Sequence, residues 1–402
     1  MRRLVAETPL RYEEFRVLWL SSVFAGVGFM SETVVLGWLL LDRTGSPFVV
    51  GLGIALRSLP NFLLGIPGGA LADRMDRRLL LRLIGATTAV SAAVLGGLAL
   101  TNQIMVWHIL VFTFAGGAAR ALGQAARQSF AFDIVGPSQV IGGMAYMNMG
   151  QRLGGIVGSL GVGLLIEEWG AGEAYLAIAL CHLLSSLAIM FARTAGQAAP
   201  SARPPVWQGV RECVSELQIN RILATLVLLT AAVEVFGFSY QALVPSLARD
   251  LLNLGPGGLG LLNAIGSLGG MVAVLAVSLR GELHSRGLGL LVVLLSFGGV
   301  LILLGHANTL ALALLAIALV SGLAALSDLL SQSLVQSAVA NDLRGRAMGS
   351  WVLATGFGPI GHLQIGLIAS VYGVTTALTV SGLLLLTLGL SALLLNRQIR
   401  IL

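Results

Sequence analysis

The stretch PFVVGLGIALRSL (residues 47–59) returns 209 positions later as PGGLGLLNAIGSL (residues 256–268), with proline, glycine, alanine, serine and leucine at the same steps. Beyond it, Asp73 meets Glu282 and Arg77 meets Arg286. A shift of 204 residues gives a second set of matches: Gln128-Ser129, Met144 and Gly154 with Gln332-Ser333, Met348 and Gly358. The sequence therefore predicts two copies of one structural unit in the same orientation.

The composition indicates that the chain lies in a membrane. Of its 402 residues, 56% are hydrophobic and only 10% are charged, against roughly 25% charged in soluble proteins. Apolar stretches recur from Phe15 to Leu395, and about 20 such residues cross the hydrocarbon layer as a helix. The 52 glycines scattered among them allow helices to pack closely in lipid. An all-α membrane protein is expected.

Twelve transmembrane helices are predicted, at residues 15–41, 48–72, 79–100, 105–130, 139–166, 173–193, 221–247, 257–279, 287–305, 309–334, 345–370 and 374–395. The long polar interruption at 194–220 divides the chain into an N-terminal six-helix bundle (1–193), a cytoplasmic linker (194–220) and a C-terminal six-helix bundle (221–402). Within the linker, Val206, Val210, Val214 and Leu217 fall on one helical face, which predicts a short interfacial helix.

Arginine sets the expected orientation. All 24 basic residues are arginines, and 19 of them fall in segments on one side of the predicted helices, against Arg43 and Arg249 on the other. Positive loops stay inside, so both termini are expected in the cytoplasm of a bacterial cell, with the chain spanning its inner membrane many times. The first fifteen residues lack the pattern of a removable signal peptide.

A charged motif, GALADRMDRR (residues 69–78), lies between the second and third predicted helices. It resembles the signature motif of the major facilitator superfamily, with Asp76 in place of the usual glycine. That resemblance implies a conformational role for the motif. It also implies that an acidic residue at the inner end of the fourth helix takes part in this role. Asp73 would lie against the exposed amides at the start of the eleventh helix, near Arg346, and would be held by Arg77. The motif residues are Gly69, Asp73, Arg74, Arg77, Arg78 and Asp133. Positive-inside topology alone explains the arginines, but neither Gly69 nor Asp73.

The fifth helix carries small residues at Gly150, Gly154 and Gly158, which form one close-packing face. The segment is similar to a glycine-rich motif of exporters in the superfamily, with Gly155 where they have proline and Ser159 where they have glycine. Plain helix packing explains the face equally well.

Six ionisable residues fall inside predicted helices: Glu32, Arg57, Arg120, Arg152, Glu234 and Asp328. Charges in spanning helices are expensive and normally face a cavity or a partner. The carboxylates are candidate proton or cationic-substrate sites, Glu32 first; the alternative is a structural ion pair with one of the three arginines. Residues 120–124, RALGQ, resemble the arginine motif of proton antiporters with glycine and glutamine exchanged, although Arg120 could also extend to the inner face.

Further stretches carry a resemblance over nearly the whole chain: FRVLW (15–19), TGSP (44–47), Leu59-Pro60, RGR (344–346) and Gly358-Pro359. They are similar to the subgroup of the major facilitator superfamily that contains the enterobactin exporter and macrolide efflux proteins. The resemblance implies a major facilitator fold of two parallel six-helix repeats and secondary active transport by alternating access, with proton-coupled export of small amphipathic molecules of the drug or siderophore type.

An importer or uniporter would share the same fold. A membrane-embedded lipid-modifying enzyme would need acidic clusters at one membrane face, and the acidic residues here are dispersed. The expected partners are a small-molecule substrate, protons and the bilayer, with no nucleic acid, and the chain is expected to be a monomer. The histidines show no paired metal spacing, and there is no phosphate-binding Gly-Lys-Ser/Thr motif. No metal or cofactor is expected.

Overall fold

A computed structural model describes residues 8–136, 139–192, 206–280, 285–340 and 343–401. Side chains at 65–74, 125, 140, 141, 206–210, 212, 214, 280, 345, 397 and 401 are outside the description. Within these ranges the chain is helical and contains no strand. The spanning helices are α1 (Glu13–Thr44), α2 (Pro47–Arg74), α3 (Arg77–Leu100), α4 (Val106–Val135), α5 (Val140–Glu168), α6 (Ala171–Met190), α7 (Arg221–Leu251), α8 (Pro256–Arg280), α9 (Arg286–Gly305), α10 (Leu310–Ser337), α11 (Arg344–Thr355 and Gly358–Tyr372) and α12 (Val374–Leu395). A linker helix covers Val206–Ile219, and short turns of helix cover Pro9–Arg11 and Arg397–Ile401.

The predicted number and order of spanning helices are confirmed. Twelve helices in the described part of the chain are long and apolar enough to cross a membrane. Their length follows from uninterrupted apolar sequence, since about 20 residues at 1.5 Å each cover the hydrocarbon layer. Two helices, α7 and α11, are not the continuous helices that the sequence predicts.

Helix α7 changes its hydrogen-bonding pattern along its length. After Arg221–Ala232 it forms a π turn at Val233–Gly237, a 3-10 segment at Phe238–Leu243, a short α turn at Val244–Ser246 and a second π turn at Leu247–Leu251. Pro245 is the second residue of the short turn and has no N–H to donate to a preceding carbonyl. The result is a helix whose middle is irregular.

Helix α11 is interrupted at Gly356 and Phe357, and its second part begins at Gly358 with Pro359 in the first turn. The missing N–H of a proline is tolerated in the first turn of a helix, where that donor would be unsatisfied anyway. The Gly-Pro pair therefore ends one helix and begins the next.

Side chains cap several helix starts. The Asp76 carboxylate accepts hydrogen bonds from the backbone N–H groups of Arg78 (2.8 Å) and Leu79 (3.3 Å) and so caps α3. The Asn220 side chain caps α7 in the same way, at 3.0 Å from the N–H of Leu223. The aspartate that replaces the superfamily's glycine therefore stabilises a helix start.

The chain forms two compact units. Unit 1 comprises Met1–Leu39, Leu59–Arg203 and Gly255–Ala264, and unit 2 comprises Leu40–Ser58, Pro204–Leu254 and Ile265–Leu402. The units follow the predicted halves with two exceptions: the end of α1 and the beginning of α2 (Leu40–Ser58) belong to unit 2, and the beginning of α8 (Gly255–Ala264) belongs to unit 1. The boundaries 1–193, 194–220 and 221–402 stay predictions.

Hydrogen bonds from backbone N–H groups at the starts of α8 and α2 explain both exceptions. In unit 1 the Glu167 carboxylate at the end of α5 accepts a hydrogen bond from the N–H of Gly257 at 3.0 Å, and a Cβ on Gly163 would lie 3.1 Å from the Cα of Gly260. In unit 2 the N–H of Phe48 donates to the Ser370 hydroxyl at 3.0 Å. Both helix starts are held by backbone groups at close range.

The linker helix packs against the beginning of α11 in unit 2. The Cys213 thiol is buried and donates to the Arg346 carbonyl at 3.3 Å, and the Asn220 amide donates to the Ala338 carbonyl at 3.0 Å. Of the predicted apolar face, the side chains of Val206, Val210 and Val214 lie outside the described residues, and Leu217 is partly buried.

Candidate functional site

Glu32, the carboxylate that the sequence ranks first, contacts a histidine in unit 1. Its Oε1 lies 3.0 Å from Nε2 of His182 on α6. Only 27% of the Glu32 side chain and 11% of the His182 side chain are exposed. A carboxylate and an imidazole can pass a proton between them, which an arginine partner could not do. This pair joins α1 to α6 within unit 1.

Small residues allow α6 to approach α1 at this pair. A Cβ on Gly28, one turn before Glu32, would lie 2.7 Å from Cε1 of His182, so only glycine leaves room for the imidazole. Two turns earlier, Ser21 and Ser185 each donate a hydrogen bond to the other's backbone carbonyl, at 2.9 and 2.8 Å. The Glu32–His182 pair is therefore held by a well-packed helix contact.

Arg120 lies beside the pair. Its guanidinium stacks 3.5 Å above the ring centroid of Phe29, which is three residues from Glu32 and so on the same face of α1. Arg120 is an exposed residue. Of the two other arginines, Arg152 is exposed on α5 and Arg57 is partly buried in unit 2.

Arg77 and Asp133 form an ion pair in unit 1. The Arg77 guanidinium lies 2.5 Å from Oδ2 and 2.6 Å from Oδ1 of Asp133, and both side chains are mostly buried. Nearby, Arg78 donates to the carbonyl of Met190 at the end of α6, at 2.9 Å. The side chains of Asp73 and Arg74 and the surroundings of Gly69 lie outside the described residues, and so does the expected contact between Asp73 and Arg77. The described partner of Arg77 is Asp133.

The three glycines of α5 lie against α1, Gly154 and Gly158 against its backbone and Gly150 against a side chain. A Cβ on Gly154 would lie 2.9 Å from the nitrogen of Val27, and one on Gly158 would lie 3.0 Å from that same residue's Cα. A Cβ on Gly150 would lie 2.8 Å from Nε1 of Trp19, whose indole donates to the Tyr146 carbonyl. Any larger side chain at these positions would separate the two helices.

In unit 2, Glu234 lies in the first π turn of α7 and faces the interruption of α11. A Cβ on Gly358 would lie 3.3 Å from Oε2 of Glu234 and 3.9 Å from Cε1 of His362. Asp328 on α10 is exposed and interacts electrostatically with Glu234. The structure thus brings together two carboxylates that the sequence proposed separately, and it adds an imidazole.

Sequence reasoning missed both histidines. His182 and His362 were considered only as metal ligands, and in the described part of the chain no group of three or more histidine, cysteine or acidic residues could hold a metal ion. The signal was present, since an imidazole inside a spanning helix needs a polar partner just as a carboxylate does. The partner of His182 is Glu32, which lies 150 residues away in the chain, so no local spacing pattern indicates the pair.

Comparison with known proteins agrees with this architecture. The family model described as transmembrane secretion effector matches residues 5–400. The staphyloferrin A transporter of Staphylococcus aureus is 21% identical over 386 residues, covering 95% of this chain and 96% of that protein. The enterobactin exporter EntS of Citrobacter koseri is 25% identical over 395 residues, covering 96% and 92%. Macrolide efflux protein A of Streptococcus pyogenes is 22% identical over 277 residues, covering 68% of each.

Solved structures share the fold at low identity. The nucleoside transporter NupG superposes with a TM-score of 0.79 at 11% identity, covering 96% of this chain and 99% of that one. An inward-facing bacterial homologue of the lysosomal transporter Spinster gives a TM-score of 0.72 at 15% identity, covering 95% and 96%. The chain is a transporter of the major facilitator fold, not an enzyme, and it belongs to the transmembrane secretion effector family of the major facilitator superfamily.

Proposed function

We propose that the protein exports small amphipathic molecules from the bacterial cytoplasm in exchange for protons, by alternating access of its helical bundles. Glu32 and His182 are the coupling site, and the chain works as a monomer in the inner membrane with both termini in the cytoplasm. The relatives that export a siderophore or a macrolide support the direction. The arginine distribution supports the orientation.

The observation that carries the proposal is the contact between Glu32 and His182 at 3.0 Å. Arginine would keep its proton and hold the carboxylate permanently charged, whereas imidazole changes charge near neutral pH in water. A carboxylate–imidazole pair removed from bulk water therefore has states that differ by one proton. These states differ in net charge and hence in the free energy of burying the pair. Such a difference can bias a two-state equilibrium, which coupling requires.

The Arg77–Asp133 pair supports a second role in the same cycle. It joins the start of α3 to α4 at the end of the bundle where the superfamily motif lies. In the proposal this pair, together with Asp73, biases the equilibrium between the two access states. Asp133→Asn would leave a mostly buried guanidinium without its carboxylate and is expected to slow transport.

Proteoliposomes with an imposed pH gradient test the coupling. The substrates are a set of dyes, one macrolide and one siderophore, and movement is compared with and without the gradient. The wild type should move at least one of them against its concentration when the gradient is present. Glu32→Gln and His182→Gln should lose that uphill movement but keep downhill exchange, since each removes the proton site without closing the substrate path.

Glu13→Gln is the matched control, because Glu13 lies on the same helix, has a 90% exposed side chain, and should not affect coupling. Wild-type movement that is indifferent to the gradient would contradict proton coupling, and movement only toward the cytoplasmic face would make the protein an importer. Reporter fusions at both ends test the orientation independently.

A further inference from the structure

His362 on α11 is a buried polar side chain. Only 6% of its surface is exposed, and neither ring nitrogen has a hydrogen-bond partner among the described residues. A buried imidazole with two unsatisfied nitrogens costs free energy that a ligand with complementary groups recovers. The ring therefore marks a place where something polar belongs.

The surrounding backbone directs polar groups to that place. The π turn Val233–Gly237 of α7 carries Glu234 toward the interruption of α11, and Glu234 Oε2 and His362 Cε1 both lie within 4 Å of the position of a Cβ on Gly358. π turns occur frequently at functional sites, and interrupted helices at membrane depth form the binding sites of many transporters. Gly358 has no side chain, which allows both groups to lie close to the backbone at the interruption.

Asp328 gives the place its charge preference. It lies on α10, is exposed, and acts on Glu234 electrostatically. Two carboxylates that interact electrostatically repel an anion and attract a cation. The described residues contain no group of three or more histidine, cysteine or acidic side chains for a metal ion. The unsatisfied ring nitrogens of His362 instead favour a cation that donates hydrogen bonds, such as an organic amine.

From this arrangement we infer that unit 2 binds the protonated amine of the transported molecule, with Glu234 and Asp328 facing the charge and a ring nitrogen of His362 accepting one of its N–H groups. The inference rests on the proposed function and specifies its substrate class as amphipathic amines. Glu32 and His182 then handle the proton in unit 1, while Glu234 and His362 handle the substrate.

Equilibrium binding to the purified full-length protein tests the inference with three probes that differ at one end. Dansylcadaverine carries an amine, dansyl pentylamide a methyl group and dansyl 6-aminohexanoate a carboxylate, on nearly the same apolar body. Dansyl fluorescence reports binding. The amine should bind at least about tenfold more tightly than the methyl probe, with the carboxylate weakest. Glu234→Gln should remove most of that difference, and His362→Leu should reduce it, while binding of the methyl probe stays the same.

Glu13→Gln should leave all three affinities at wild-type values, and thermal unfolding establishes that each variant is folded. Equal binding of the amine and methyl probes by the wild type would overturn the inference and leave a polar space filled by water. A preference for the amine that survives Glu234→Gln would also overturn it. Because binding needs neither a gradient nor a direction, failure here leaves proton-coupled export standing, and failure of the gradient experiment leaves this result standing.

Discussion

Unit 1 and unit 2 each place a glutamate near a histidine, but only in unit 1 do the two side chains meet. Glu32 and His182 are 3.0 Å apart, whereas the His362 ring, near Glu234, has no hydrogen-bond partner in the described part of the chain. The two glutamates lie at similar depths in the sequence repeats. The same residue types thus occur in two conditions: the His182 imidazole contacts a carboxylate, whereas the His362 ring nitrogens have no hydrogen-bond partner among the described residues.

Replacing each histidine by leucine should give the largest contrast. His182→Leu removes the imidazole from Glu32 and is expected to abolish uphill transport and to lower the free energy of unfolding by about 1–3 kcal/mol. His362→Leu loses no hydrogen bond and should leave the free energy of unfolding unchanged or raise it by about 1 kcal/mol. Denaturant unfolding in detergent measures both. Destabilisation of equal size by the two variants would show that His362 has an internal partner.

A double-mutant cycle sharpens the comparison. Glu32→Gln combined with His182→Gln should show a coupling free energy of about 1–2 kcal/mol, because the side chains touch. Glu234→Gln combined with His362→Gln should show less than about 0.5 kcal/mol, since the groups only converge on a shared space. The same unfolding measurement gives both values. Equal coupling free energies in the two units would mean that the contact between Glu32 and His182 stabilises the protein no more than the arrangement of Glu234 and His362 does.

Glycine replacements test the space around each histidine. Gly28→Ala places a methyl group 2.7 Å from the His182 ring and should cost about 1–2 kcal/mol of stability as well as coupled transport. Gly358→Ala meets Glu234 Oε2 only at 3.3 Å, so its stability should change by less than about 1 kcal/mol. Gly97→Ala, with no atom within 4 Å of the new Cβ, is the control and should stabilise α3 by up to about 1 kcal/mol. A harmless Gly28→Ala would mean that the imidazole can move away freely.

The smallest effect is expected at Asp76, which touches neither pair. Asp76→Gly restores the superfamily's residue and removes the cap of α3, and should cost only a few tenths of a kcal/mol, since glycine is itself tolerated at the N-cap. Thermal unfolding followed by circular dichroism measures it. Transport should be unchanged; a large loss would give Asp76 a role beyond capping.

The number and order of helices could be predicted because each depends on local apolar length. The irregular middle of α7 could not be predicted from mean hydropathy, although Pro245 was visible in the sequence. Proline shows where a hydrogen bond is missing but not whether the helix kinks, tightens or widens there. In α11, the Gly358-Pro359 pair gave a clearer sign because proline fits a helix start.

The residues of the candidate site also divide into those that the sequence could predict and those that it could not. Glu32, Glu234 and Asp328 stood out because ionisable groups are rare in spanning helices, and Asp133 was named through the resemblance to the superfamily. The partner of Glu32 was not predictable, because it depends on how α6 packs on α1, and one sequence without distant pairing information does not specify that. The roles of all these residues stay predictions.

The glycine face of α5 has a mechanical consequence. Because Gly154 and Gly158 bring α5 against the backbone of α1, no flexible side chains separate the two helices, and a shift of one must carry the other with it. At its far end the same α5 holds the first turn of α8 through Glu167. Helix α5 thus couples the position of α1, which carries Glu32, to the position of the first turn of α8, a helix from the other half of the sequence.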